Sequence, residues 1–161
     1  MSDAARPPEG GAPFLGEDVA QRQEGTPVHR HEPVLMPGAK PWPEAYTYVP
    51  AIRTGNTVYI SGTTGTDDQG RILAPGDIAE QARQIFRKFE RLLGSLGGSF
   101  ADIVMTTDYY VDPTDYRHTA EVRREFFGTH RPAATGVQVQ GLIRRHALIE
   151  ISAIAVLGGR P

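Results

Sequence analysis

Glu150 is the residue in this chain best placed to do chemistry. It sits in Leu148-Ile149-Glu150-Ile151-Ser152-Ala153-Ile154-Ala155-Val156, an aliphatic run broken by one acid. A carboxylate among aliphatic neighbours is costly unless it is partnered, and its pKa rises as it is desolvated. Such a group can orient water and pass a proton near neutral pH. The alternative is a structural acid that accepts hydrogen bonds from neighbouring backbone N–H groups. Other candidates surround it in the sequence. Tyr48, Tyr109 and Tyr110 are aromatic walls or ordinary strand residues. Ser61-Gly62-Thr63 ends a β-rich run, where backbone N–H groups can hold a carboxylate or an oxyanion. The segment His130-Arg131-Pro132-Ala133-Ala134-Thr135-Gly136 is small-residue-rich and leaves room beside a strand. Arg131 and Arg144-Arg145-His146 are either solvated cations or anion-binding rims. His130 is of a residue type that can act as acid or base.

Several chemistries lack their residues. With no cysteine there is no thiolate nucleophile, disulfide or thiolate-bound zinc. No phosphate-binding loop or nucleophile elbow is present. His29-Arg30-His31-Glu32 has ligand types but no partner at a fixed spacing, so no metal and no cofactor are expected. The 17 Lys and Arg against 19 Asp and Glu give a net charge of -2, which argues against nucleic acid and anionic membranes as partners. No apolar run is long enough to span a bilayer, and the N-terminus lacks a signal-peptide pattern, so the expected location is the cytoplasm.

The elements that must position these groups are readable from periodicity. The 161 residues suit one domain. Residues 1–44 hold eight of the 13 prolines and show no sustained period, which predicts an N-terminal arm, flexible or docked on a neighbouring subunit. The domain proper spans 45–161. Around Thr54-Gly55-Asn56-Thr57, β-formers on both sides predict a hairpin, with strands over about 46–53 and 57–62. Asp77 caps a helix whose apolar positions, Ile78, Ala82, Ile85, Phe86, Phe89, Leu92, Leu93 and Leu96, form one stripe that ends at Gly97-Gly98. A strand over about 103–111 would put Ile103, Met105, Thr107 and Tyr109 on one face and Val104, Thr106, Asp108 and Tyr110 on the other. A second helix starts at Asp112-Pro113 and ends at Gly128. Strands over about 134–141 and 147–156 complete a ββαβαββ order. That order predicts an α+β sandwich with two helices on one face of a mixed sheet. The opposite face, apolar and uncovered, is expected to bury itself between subunits.

The segments TGNTVYISG, Gln81-Ala82-Arg83, ADIVMTTDYYVDPTDY, Phe126-Phe127, RPAA and LIEISAIAV, in this order, resemble the RidA family of imine/enamine deaminases, once grouped with endoribonuclease L-PSP. The resemblance covers about residues 46–157. It implies a chorismate-mutase-like fold, a homotrimeric barrel and pockets between subunits. It further implies that Glu150 holds or activates water, that Tyr48 closes the pocket, and that Ser61-Gly62-Thr63 and the 135–136 backbone hold an oxygen or carboxylate. The decisive family residue is missing, and a second differs. The arginine that pairs with the substrate carboxylate falls on Ala134, the family's asparagine on the second helix falls near Ala120, and the small position two beyond the arginine is Gly136. Loss of a guanidinium–carboxylate contact removes roughly 1.5–3 kcal/mol, or on the order of 10- to 100-fold in affinity. The expected function is therefore a small-molecule hydrolase acting on an imine, enamine or related unsaturated intermediate, outside the standard 2-iminoacid deaminases. Tyr110 and Arg131 are further binding candidates, with Arg131 or Arg144 as a replacement cation. A non-catalytic ligand-binding trimer is the alternative, and RNA cleavage a distant third.

Overall fold

A computed structural model describes residues 31–38 and 43–158. Its elements are β1 (Glu32–Val34), β2 (Ala51–Thr54), β3 (Thr57–Thr64), α1 (Ile78–Ser95), a 3-10 turn at Phe100–Asp102, β4 (Ile103–Tyr110), α2 (Pro113–Tyr116), α3 (Thr119–Phe127), β5 (Ala133–Gln138) and β6 (Ile149–Val156). The six strands form one sheet in the order β1-β2-β3-β6-β4-β5, antiparallel throughout except for the parallel β4–β5 pair. The chain is α+β, with the helices on one face, and its fold is chorismate-mutase-like. Among the described residues no helix is long and apolar enough to cross a membrane.

The α1 stripe explains the core. Asp77 accepts a hydrogen bond from the Glu80 N–H at the N-terminus, and Gly97, at φ +74, ends the helix. Ile78, Ala82, Ile85, Phe86, Phe89, Leu92 and Leu93 are all buried between the sheet and α3. Phe86 meets Phe100 and Phe127 edge-on, with centroids 5.6 Å away in each case, a geometry that adds about 0.5–1.5 kcal/mol per pair beyond burial. On β6, Ile149, Ile151, Ala153 and Ala155 point into this core, so Glu150, Ser152, Ile154 and Val156 must face the other way. That open face carries half-exposed Tyr59 together with Ile52, Ile154 and Val156.

Four local departures from the expected elements have physical causes. The first hairpin strand begins at Ala51 rather than about Tyr46, after Pro50. Residues 32–34 of the arm pair with β2 of the same chain and bury Val34; residues 1–30, 39–42 and 159–161, including most of the arm, lie outside the described residues. On β4 the register slips between Ile103 and Met105, so the bulge at Val104 puts Ile103 on the same face as Thr106 and Asp108 and not with Met105. The second helix is two pieces, broken at Arg117-His118, and Ala120 is exposed rather than turned inward.

Candidate active site

A second bulge builds the site. Along β3 and β6 the pairing runs from Ile60↔Ala153 to Thr63↔Ile151, leaving Ser61 and Gly62 opposite a single residue, Ser152. Glu150 follows on β6, paired with Thr64 on one side and Tyr109 of β4 on the other. Its carboxyl folds onto the bulge at Gly62. A Cβ built on Gly62 would collide with Glu150 Oε1 and stand 3.2 Å from its Cδ, so the acid can occupy this place because position 62 has no side chain. Ser61 fixes the far side of the bulge: its Oγ donates to Val49 O at 2.7 Å and its N–H to Pro50 O at 2.9 Å. These bonds anchor the 43–50 segment beside the bulge. There Tyr48 stacks on Tyr46 at 5.5 Å and remains about half exposed.

Glu150 is half-buried, and among the described residues no hydrogen bond or ion pair to its carboxylate forms. Among the described residues no backbone N–H satisfies it. Burial pushes its pKa up, and the charge of Arg144 opposes that shift. One rung along the sheet, a trough of about 240 Å³ opens on the same face, lined by Tyr59, Met105, Thr107, Ser152 and Ile154. The arrangement offers a proton-accepting carboxylate, an exposed glycine backbone beside it, and an apolar floor. This can orient water onto a polarised carbon.

The remaining candidates divide by sheet face. Thr135 shares the open face with Thr107, its partner on β4. Ala134 pairs with Thr106 and Gly136 with Asp108, which puts both on the helix face, away from Glu150. A Cβ on Gly136 would lie 3.3 Å from the Tyr116 hydroxyl. Tyr110 is also on the helix face, stacked on Tyr116 at 4.1 Å, so the tyrosine beside Glu150 is Tyr109 and not Tyr110. Thr63 turns to the helix face with Ile151. Arg131 donates to Gly128 O and His130 O, both at 2.8 Å, at the end of α3. It does not approach Glu150. His130 Nε2 contacts Ile103 O at 2.7 Å, a structural tie between α3 and β4.

Two polar groups of consequence carried no sequence signal. Lys88, on the margin of the α1 stripe, donates to Thr66 Oγ1 (2.6 Å), Thr64 O (2.8 Å) and Thr63 Oγ1 (3.4 Å), stitching α1 to the end of β3. Burial, with a smaller push from Arg144, lowers its pKa to about 8. Behind β4, Asp108 is 1% exposed; its Oδ2 accepts from Tyr116 OH at 2.8 Å and Arg123 Nη1 at 3.0 Å, while among the described residues Oδ1 has no partner. Arg123 also reaches Thr106 Oγ1 at 3.0 Å and lies 5.2 Å from the centre of the Phe127 ring. The net effect on Asp108 is upward, because burial outweighs Arg123 and Tyr116.

A chorismate-mutase-like domain with an acid folded onto a glycine bulge on its open sheet face defines the class, and comparison with known proteins narrows it. Residues 39–157 match the family described as Endoribonuclease L-PSP. The chain belongs to this family, the RidA family. It is 36% identical over 122 residues to the 3-aminoacrylate deaminase RutC of Acinetobacter baylyi, covering 76% of this chain and 95% of that protein. It is 34% identical over 111 residues to the 2-iminobutanoate/2-iminopropanoate deaminase of Mus musculus, covering 69% and 82%. A solved member of the YjgF/YER057c/UK114 family from Mycobacterium tuberculosis superposes with a TM-score of 0.59 at 38% identity, covering 68% and 86%.

Proposed function

We propose that this protein is a cofactor-independent deaminase-like hydrolase that converts an imine or enamine to a carbonyl compound and ammonia. The observation that carries this reading is the Glu150 carboxyl, half-buried, raised in pKa and folded onto Gly62 without a hydrogen-bond partner among the described residues. Water held by Glu150 adds to the imine carbon: the C–O bond forms and the C=N π bond opens as Glu150 accepts one water proton and the nitrogen takes one from solvent. Glu150 then gives its proton to the amine nitrogen as the hydroxyl proton leaves to solvent and the C–N bond breaks, releasing ammonia, leaving the carbonyl and restoring the carboxylate. For an enamine, Glu150 in its acid form first protonates the distal carbon, and its raised pKa favours that role. The names of the two curated relatives, a 3-aminoacrylate deaminase and a 2-imino-acid deaminase, support an enamine or imine substrate.

Ala134 supports a substrate range different from that of a 2-iminoacid deaminase with an arginine at this position. Tyr48 would cover the substrate and the backbone at Ser61-Gly62 would hold an oxygen. The apolar open face, with Tyr59, Ile154 and Val156, supports a homotrimer in which sheets meet face to face and the sites lie between subunits. The test is ammonia release from 3-aminoacrylate and 2-iminobutanoate generated in situ. Glu150→Gln should lower turnover by about 10²-fold or more, the usual contribution of a positioned acid-base group. Full turnover by Glu150→Gln would refute the mechanism. The same absence of an arginine at position 134 favours a second reading, a non-catalytic ligand-binding trimer. Wild-type protein inert towards both substrates would support that reading.

A further inference from the structure

We propose that the trough beside Glu150 is the subsite for the non-reacting end of the substrate, and that Ser152 and Thr107 make it select an uncharged carbonyl, that of an amide or ester, over a carboxylate. This rests on the reading of Glu150 as the reacting acid and deepens it by naming the substrate class.

Contact and register put the trough against the acid. The Glu150 carboxyl lies on Gly62, and Ser61-Gly62 stand opposite Ser152 across the β3–β6 pair. Ser152 follows Glu150 by two on β6, so the two side chains leave the same face roughly 7 Å apart. Thr107 is the β4 partner of Ser152, as Tyr109 is that of Glu150. Opposed residues on one face have Cβ atoms about 4.5–5.5 Å apart, close enough for both hydroxyls to reach one ligand oxygen. Ser152 and Thr107 form one wall of the trough, and the next row of the sheet, Tyr59, Ile154 and Met105, forms the other. Its volume of about 240 Å³ suits a small fragment, since drug-sized ligands occupy roughly 300–1,000 Å³.

The two hydroxyls are half-buried, and among the described residues neither makes a hydrogen bond. Hydroxyls behind the sheet and at the bulge are taken: Thr106 accepts from Arg123, Thr63 and Thr66 accept from Lys88, and Ser61 donates to Val49 O. No charged side chain lines the trough. Arg123 and Lys88 bind their partners on the helix face, and Arg144 donates to Gly70 O in the 65–77 loop. In a trimer whose sheets meet face to face, the neighbouring sheet would roof the trough. A carboxylate held there would lose its water, meet no cation and stand beside a second carboxylate. An amide or ester carbonyl loses less on desolvation and accepts from Ser152 and Thr107, while Tyr59, Met105 and Ile154 cover the apolar part of the ligand.

The test is an NMR titration of the ¹⁵N-labelled full chain with 2-oxobutanamide and with 2-oxobutanoate, a neutral and an anionic form of one small keto compound. The wild type should bind the amide about 10-fold or more tightly than the acid, with the largest shifts at Ser152, Thr107 and Gly62. Ser152→Ala and Thr107→Val should each weaken the amide by about 3- to 10-fold, the worth of one neutral hydrogen bond, and leave the acid within about 2-fold. Glu150→Gln, which removes the like charge, should tighten the acid more than the amide. A wild type that prefers the acid, binds neither compound or shifts elsewhere overturns the proposal, and so do hydroxyl variants that bind the amide as the wild type does. Should Ser152→Ala fail to fold, Thr107→Val, which keeps the side-chain shape, decides. Ammonia release is measured separately, from 2-iminobutanamide and 2-iminobutanoate generated in situ, and the amide should be the faster substrate. Amide bound at the trough with no ammonia from either compound upholds the subsite and refutes the deaminase reading, so the two failures are distinct.

Discussion

Replacing Arg123 by Met tests whether the cluster behind β4 behaves as a buried ion pair. In the native chain Asp108 is 1% exposed and its Oδ2 takes one bond from Arg123 and one from Tyr116. Methionine keeps contact with Phe127 but leaves a buried carboxylate with neutral hydroxyl partners alone. Breaking one side of such a pair costs about 3–5 kcal/mol. At roughly 2–4 °C per kcal/mol for a chain of this size, Tm should fall by about 6–20 °C at pH 7. The pH dependence carries a sign. Burial already holds the Asp108 pKa above its unfolded value, and removing Arg123 raises it further. Between the unfolded and folded values the native state then binds more protons than the unfolded state, so stability falls as pH rises through that interval. The penalty of Arg123→Met should therefore be smaller at pH 5 than at pH 7 in urea denaturation. A further change, Asp108→Val in the same chain, should recover most of the loss, because an apolar pair of similar volume avoids the desolvation cost. An equal penalty at both pH values, or a double variant as unstable as the single one, would refute the reasoning.

Two other perturbations probe the site and its assembly. Gly62→Ala would put a methyl group where Glu150 Oε1 lies, and since that is the end of a flexible side chain the acid should swing away at little cost in stability. Deaminase activity should fall by about 10-fold or more, as for other displaced acid-base groups, with Tm within a few degrees of the wild type; full activity would show that the bulge does not position the acid. Ile154→Arg places a charge on the open face beside Tyr59, its cross-strand partner. It should shift the species seen by light scattering from oligomer to monomer, and an unchanged oligomer would remove the open face as the interface.

The parts of the fold written in local periodicity were legible. The α1 stripe, its Asp77 cap, its Gly97 stop and the Thr54-Gly55-Asn56-Thr57 hairpin need neighbours within a few residues, and the structure shows all of them. Strand β1 was not, because its three residues include Pro33 and have no alternation to read; pairing with β2 creates the strand. The broken second helix is similar, since His118 makes no side-chain cap and Arg117-His118 gives no breaker signal.

The site shows why face assignments fail first. Side chains alternate with a period of two, so a single inserted residue reverses every assignment after it. The bulge at Val104 leaves Ile103 buried, off the face of Met105, Thr107 and Tyr109, while beyond it the expected alternation holds and Tyr109 stands next to Glu150. The bulge at Ser61-Gly62 acts on β3, turning Thr63 to the helices and setting Gly62 under the acid. Alternation therefore set Tyr109 and Tyr110 on opposite faces as the structure has them, whereas Tyr110 and Thr63, named as binding candidates, both lie on the helix face. The helix-face cluster was silent for another reason: Asp108 and Arg123 are 15 residues apart and each reads singly as a surface charge. Their pairing follows from how α3 crosses β4.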